Sequence, residues 1–243
     1  MTLHLNPSLR PAGLVEMPAL LRGDAEAVDG WLHHWSTRRA LLYLVVIFLG
    51  AGLYGAAMGV WRSPLQAVFT AVKFPLIILL TTLGNALLNG MLAPLLGLNI
   101  RFRQSLLAIF MSFTIAAAIL GAFSPLLFFI VWNAPPMSPS EEVSTTAYSS
   151  IKLAQVAVIA FAGVAANLRL AQLLRRLSGS AVVARRVLCA WLAGNLFLGT
   201  QLTWILRPFI GSPHLQVEFL RPDPFHSNFF ETVFNTIKHL LFP

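Results

Sequence analysis

Apolar residues gather into five long runs, 40–61, 74–98, 104–132, 151–170 and 187–206, separated by more polar breaks that carry arginine, except for the longest, 133–150. A hydrocarbon core about 30 Å thick is crossed by about 20 apolar residues in a helix. Each run therefore predicts one transmembrane helix. The run 104–132 would extend about 43 Å at 1.5 Å per residue, so a tilt or a break is expected. Pro125 is the natural place for the break, because proline removes a helix hydrogen bond. Pro75 stands in the first turn of its run, where a missing N–H matters little.

Two flanking segments carry helical patterns too short to span. Residues 24–38 begin with an acid and end in basic residues, which suits a helix dipole. Trp31 and Trp35 share one face of that segment, as in a helix lying in the membrane interface. Residues 228–241 open with Asn228-x-x-Glu231, a capping-box pattern. Phe230, Val233, Phe234, Ile237, Leu240 and Leu241 then recur at helical spacing. The expected fold is all-α. Residues 1–39 form a segment with an interfacial helix, 40–206 form five transmembrane helices, and 207–243 form a tail with an amphipathic helix.

Composition agrees with that pattern. Hydrophobic residues make up 57% and charged residues 11%, against about 45–50% and about 25% in soluble domains. A soluble enzyme, a disordered chain, a collagen and a disulfide scaffold are all excluded. Cys189, the only cysteine, lies inside an apolar run and is expected to act as a small hydrophobe. Residues 1–30 carry Glu16, Asp24, Glu26 and Asp29 and no short apolar core. That is not the pattern of a cleaved signal peptide.

The net charge of +8 belongs to the loops. With the N-terminus inside, eleven basic residues lie on the inner side and six on the outer side. The positive-inside rule then predicts a cytoplasmic N-terminus and an extracytoplasmic C-terminus at the cell's inner membrane. Because the basic residues fall between the apolar runs, as cytoplasmic loop charges do, no nucleic-acid partner is expected.

Chemistry is sparse within the runs, which contain neither a carboxylate nor a histidine. There is no Gly-x-Ser-x-Gly elbow and no His-Glu-x-x-His motif. Adjacent His33 and His34 would point about 100° apart on a helix, which is poor geometry for one metal ion. Glu141 and Glu142 read as a solvated acidic pair. No catalysis, metal or cofactor is expected.

Three features exceed this background. Ala51, Gly55 and Gly59 place a small residue every four positions, which allows close helix approach within the chain or between copies. Asn85 and Asn89 share a helix face, and Asn195, Thr200, Gln201 and Thr203 fall in the last run. Such groups need partners in the bundle interior or water in a pore. Lys73 precedes Pro75, and Arg207-Pro-Phe-Ile-Gly211-Ser-Pro213 follows Trp204. These basic residues can snorkel to the interface, and the second stretch predicts a cap-like or re-entrant turn. Lys73, Trp204, Arg207, Phe229 and Phe230 thus form a candidate outer mouth or a contact for lipid or partner. Phe209, Phe219, Phe225 and Phe234 add to the aromatic tail, and aromatic residues favour interfaces.

Two of these stretches bring a resemblance. Residues 54–97, from Tyr-Gly-Ala-Ala-Met-Gly through Ala-Val-Lys-Phe-Pro-Leu to Pro-Leu-Leu-Gly, resemble bacterial Yip1-like membrane proteins. Residues 199–230, from Gly-Thr-Gln-Leu-Thr-Trp-Ile-Leu-Arg-Pro-Phe-Ile-Gly-Ser-Pro to Asn228-Phe229-Phe230, resemble a group of bacterial inner-membrane proteins of uncharacterised function. The resemblance implies five membrane helices, a cytoplasmic N-terminus and no enzymatic activity. Leu53-Tyr54-Gly55 is only a fragment of the Asp-Leu-Tyr-Gly motif of trafficking members, so no trafficking role carries over.

The expected function is a non-catalytic membrane scaffold or accessory subunit. Its partners are the lipid bilayer and other membrane subunits or further copies of itself. The alternative is an oligomeric small-ion channel or permease. Asn85, Asn89 and Gln201 would line it, with Lys73 and Arg207 at an anion-favouring mouth.

Overall fold

The structure, a computed structural model, describes residues 17–24, 37–135, 141–211, 216–231, 234 and 238. A short helix α1 (Met17–Arg22) is followed by five long ones. These are α2 (Thr37–Gly59), α3 (Pro64–Leu95), α4 (Phe102–Trp132), α5 (Glu141–Ser178) and α6 (Ala181–Ile205). A further helical segment starts at Phe229, and there is no strand among the described residues. All five long helices are long and apolar enough to cross a membrane. The fold is all-α and multi-pass.

Helices α3, α4, α5 and α6 close a ring in which each touches the next, and α2 is seated against α3 and α4. Short polar caps set the turns. Ser63 caps α3 by accepting the Gln66 N–H at 3.0 Å, with Pro64 behind it, where the missing N–H is harmless. Gly97 (φ 90°) ends α3, and the Leu98 N–H returns to Ala93 O at 2.9 Å, as helix ends with a left-handed glycine do. Ser180 caps α6 after Gly179 (φ 61°).

The helices depart from the hydropathy runs in three places. α3 begins at Pro64, not at residue 74, so Pro75 sits well inside the helix. Gln66, Thr70 and Lys73 interrupt the apolar run, but they face protein and are fully buried. α5 extends beyond 151–170 at both ends, and the loop expected at 133–150 is helical from Glu141. Pro125 does not break α4, which is continuous. Proline frees the Gly121 carbonyl, and Ser124 Oγ donates to that same oxygen at 2.7 Å. A side-chain donor of this kind restores the satisfaction that lipid cannot supply.

The two ends of the bundle differ. At one end α1 buries Met17 and Leu20 against α4 and α5. Arg169 clamps it by donating Nε and Nη2 to Leu21 O at 3.2 and 2.9 Å. The interfacial helix expected over 24–38 falls mostly outside the described residues, and α1 lies upstream of it. At the opposite end, here the cap end, residues 206–211 fold across the mouths of α2 and α3.

Candidate functional site

The cap is held by a polar face of α3. Gln66, Thr70 and Lys73 are spaced four and three apart, so they stack on one side of the helix. Lys73 Nζ donates to Pro208 O at 2.9 Å, and Thr70 Oγ1 donates to Phe209 O at 2.7 Å. Gln66 Nε2 donates to both carbonyls, at 3.1 and 2.7 Å. Proline rings and the helix end leave those carbonyls without helical partners, and α3 satisfies them. Lys73 is 0% exposed. Its ammonium also lies 5.8 Å from the Phe209 ring centre and 5.0 Å from that of Phe219, within cation–π range.

The small-residue face of α2 is occupied inside the chain. A Cβ on Gly55 would stand 2.5 Å from Thr70 O, and one on Gly59 would stand 2.6 Å from Gln66 O. Ala51 is fully buried on the same face. α3 therefore covers this face and leaves it no room for a second copy. A second close approach, which small-residue spacing in the first run did not reveal, joins Gly50 of α2 to Ala117 and Gly121 of α4. Beyond it, Tyr54 Oη donates to Gln155 O at 2.8 Å and ties α2 to α5.

The asparagines form a ladder between α3 and α6. Asn89 Nδ2 donates to Asn85 Oδ1 at 2.9 Å. Asn85 Nδ2 donates to Asn195 Oδ1 and, at 3.3 Å, to Trp191 O. Gly194 makes room for this, since a Cβ there would stand 2.7 Å from Asn85 Oδ1. Asn85→Leu should lower stability by about 1–2 kcal/mol, since it removes the interhelical contacts to Asn195 and Trp191, at about 0.6 kcal/mol or more each, with α6 loosening first. Thermal melting in mild detergent checks this, and an unchanged Tm would remove the ladder from the list of bundle-holding contacts. Gln201 is half-buried on α6, away from both the ladder and the cavity wall.

Between α3, α4, α5 and α6 lies a half-open cavity of about 790 Å³, with residues 207–211 of the cap in its wall. Its wall is mainly apolar, with Ile78, Phe113, Ile159 and Leu192 among the lining residues. Polar groups punctuate it. Thr81 and Gln155 are 3% and 1% exposed, and their Oγ1 and Nε2 atoms have no partner among the described residues. Three basic residues, Lys152, Arg207 and Arg221, share the wall, and among the described residues no carboxylate lines the cavity.

Arg207 lies just past α6. Its guanidinium stands 3.8 Å over the Trp204 ring and donates to Trp204 O at 2.7 Å. Burial, together with the nearby Arg221 charge, pulls its pKa below the ordinary arginine value. It stays protonated all the same. Arg207 and Arg221 line the same cavity.

The tail follows its predicted cap. Asn228 Oδ1 accepts the Glu231 N–H at 2.9 Å, and Asn228 Nδ2 donates to Glu231 Oε2 at 3.4 Å. Phe230 stacks on Phe197 of α6, with ring centres 5.8 Å apart and planes 11° apart. Phe229 packs edge-on against Phe230. Phe225 and Phe234 remain largely exposed. Most of 232–243 lies outside the described residues, as do His33, His34, Trp31 and Trp35.

The site residues missed by sequence reasoning are Gln66, Thr70, Tyr54, Gln155, Lys152 and Arg221. The 66, 70, 73 spacing was the available signal for the first two. Comparison of the chain with protein families, curated proteins and solved structures gives no match.

Proposed function

We propose that this chain is a non-catalytic integral membrane protein, a scaffold or accessory subunit whose helix ring holds one amphiphile. The observation that carries this reading is the capped cavity. Its volume falls in the range of about 300–1,000 Å³ usual for ligand sites, which often lie between the helices of bundles. Its wall offers amides, hydroxyls and basic side chains, groups suited to holding a ligand, on an otherwise apolar surface. The exposed Phe225 and Phe234 give the tail an aromatic surface of the kind that docks partner subunits. The arginine excess at the α1 end supports a cytoplasmic N-terminus in the inner membrane. The Yip1-like resemblance is consistent with this reading and adds no activity to it.

The channel alternative is weaker for one reason. Asn85 and Asn89 are engaged with each other and with α6, so they are poorly placed to face ions.

Native mass measurement after mild-detergent extraction tests the reading. The expected result is one amphiphile per chain, with stoichiometric foreign subunits that deletion of 228–243 releases. Filling the cavity through Gly163→Phe and Gly199→Phe should evict the amphiphile. A Cβ at either position meets nothing within 4 Å. A wild-type chain with no bound amphiphile would sink the cavity reading. A clean ring of identical chains that conducts ions in liposomes would replace the scaffold with the channel.

A further inference from the structure

We propose that the amphiphile is an anionic phospholipid, its phosphate held by Lys152, Arg207 and Arg221 and one acyl chain laid along α5 into the cavity. This rests on the cavity reading above and names the chemistry of its occupant.

The argument begins with one face of α5. Tyr148, Lys152, Gln155, Ile159, Gly163 and Ala166 all line the cavity. Their spacings of four and three place them in a single row. Along that row the chemistry changes in order: an aromatic ring, a cation, an amide, and then apolar or small residues as far as Ala166, with the amide of Asn167 next to them at the far end. That is the order of groups along a phospholipid, from interface to headgroup to ester to hydrocarbon. At 1.5 Å per residue the stretch from Lys152 to Ala166 is about 21 Å long. One leaflet is about half of a 30 Å hydrocarbon core, so an acyl chain fits within that length.

The charge pattern selects the headgroup. Arg207 comes from the cap, Arg221 from the stretch 216–228 that follows it and Lys152 from α5, and all three meet one cavity with no lining carboxylate among the described residues. A single arginine binds phosphate through two parallel N–H donors, and lysine binds it as a point charge. A zwitterionic headgroup would bring its own cation into this set, whereas a headgroup of net negative charge matches it. One turn deeper, the unpartnered Nε2 of Gln155 is a donor suited to an ester carbonyl. The row's small residue, Gly163, leaves open space where a side chain would stand, as the path of an acyl chain requires.

The experiment measures lipid retention by native mass spectrometry. The full chain is purified in mild detergent and exchanged against phosphatidylglycerol or phosphatidylcholine. Wild type should retain one phosphatidylglycerol at least about ten-fold more strongly than phosphatidylcholine. The double variant Lys152→Gln with Arg221→Gln should lose that preference by about ten-fold or more, the effect of roughly 1.4 kcal/mol. It should still retain phosphatidylcholine weakly. Among the described residues neither of these side chains donates to a backbone carbonyl, and the cap stays latched by Gln66, Thr70 and Lys73. Equal retention of the two lipids by wild type, or an unchanged preference in the variant, overturns the headgroup assignment and leaves the cavity reading intact. Undiminished retention of both lipids by the Gly163→Phe, Gly199→Phe chain overturns the cavity reading itself.

Discussion

Gly59→Ile, and separately Gly55→Ile, should collapse the bundle's stability, each by more than about 3 kcal/mol. Ordinary overpacking of a core costs about 1–3 kcal/mol because side chains can shift. Here the obstacle is backbone. The new Cβ atoms would stand 2.6 Å from Gln66 O and 2.5 Å from Thr70 O, so α2 and α3 would have to separate along their whole contact. Separation also moves the polar face of α3 away from the cap, so the damage should reach residues 206–211. Loss of the cooperative melting transition in mild detergent, with helicity partly retained, is the expected observation. Gly163→Ala and Gly199→Ala are the controls, since a Cβ at either position meets nothing. Exchanging glycine for alanine in a helix favours the helix by about 1 kcal/mol, so both should melt at or slightly above the wild-type temperature. A Gly59→Ile chain with wild-type melting would show that the α2–α3 seam is not what holds the fold.

Lys73→Met should release the cap while changing the stability of the bundle little. Methionine fills similar volume, and replacing a buried charge by a hydrophobic residue is often close to neutral. The cap loses more. Its Pro208 carbonyl keeps only the Gln66 donor at 3.1 Å, and a hydrogen bond from a charged donor contributes about 1.5–3 kcal/mol. That corresponds to about ten- to a hundred-fold more opening. A thiol placed at residue 210, where Ile210 is 7% exposed, reads this directly in a chain carrying Cys189→Ala. Maleimide labelling should accelerate by that factor in Lys73→Met and further in Thr70→Val with Lys73→Met. An unchanged labelling rate would mean that burial of Ile210, rather than the α3 donors, keeps the cap closed. An open cap should also speed lipid exchange, because Arg207 sits within the segment that moves.

The long helices were legible because lipid leaves little choice. A run of about 20 apolar residues has nowhere else to satisfy its backbone. The helix ends were legible only where a local device marks them, as Asn228 and Glu231 do. They were not legible in α3 and α5, because hydropathy measures a residue's own polarity and not what it faces. Gln66, Thr70 and Lys73 look like the end of a span, yet they belong to a buried face that α2 and the cap enclose. Pro125 looks like a break, and Ser124 cancels it through a bond that spacing alone does not announce.

The same limit governed the site. Asn85 and Asn89 could be placed on one face, and their need for partners was plain. That the partner is Asn195, beside Gly194, is a fact of how α3 crosses α6. Gly55 and Gly59 advertised a close approach without naming the neighbour. Lys152 and Arg221 entered only as counts of charge, because 69 residue numbers separate them and no periodicity links an α5 face to the stretch after the cap.

By itself, the sequence determined the class, the five spans, the unequal charge of the two ends and the polar positions that had to find partners. These follow from transfer of backbone and side chains into lipid, a property of each segment alone. Tertiary structure alone decided which partners those were, where the ring left a cavity, and that three cations and a row of α5 would share it. Those depend on crossing geometry and on contacts between distant segments, which set the shape of the space between helices and are written in no single stretch of the chain.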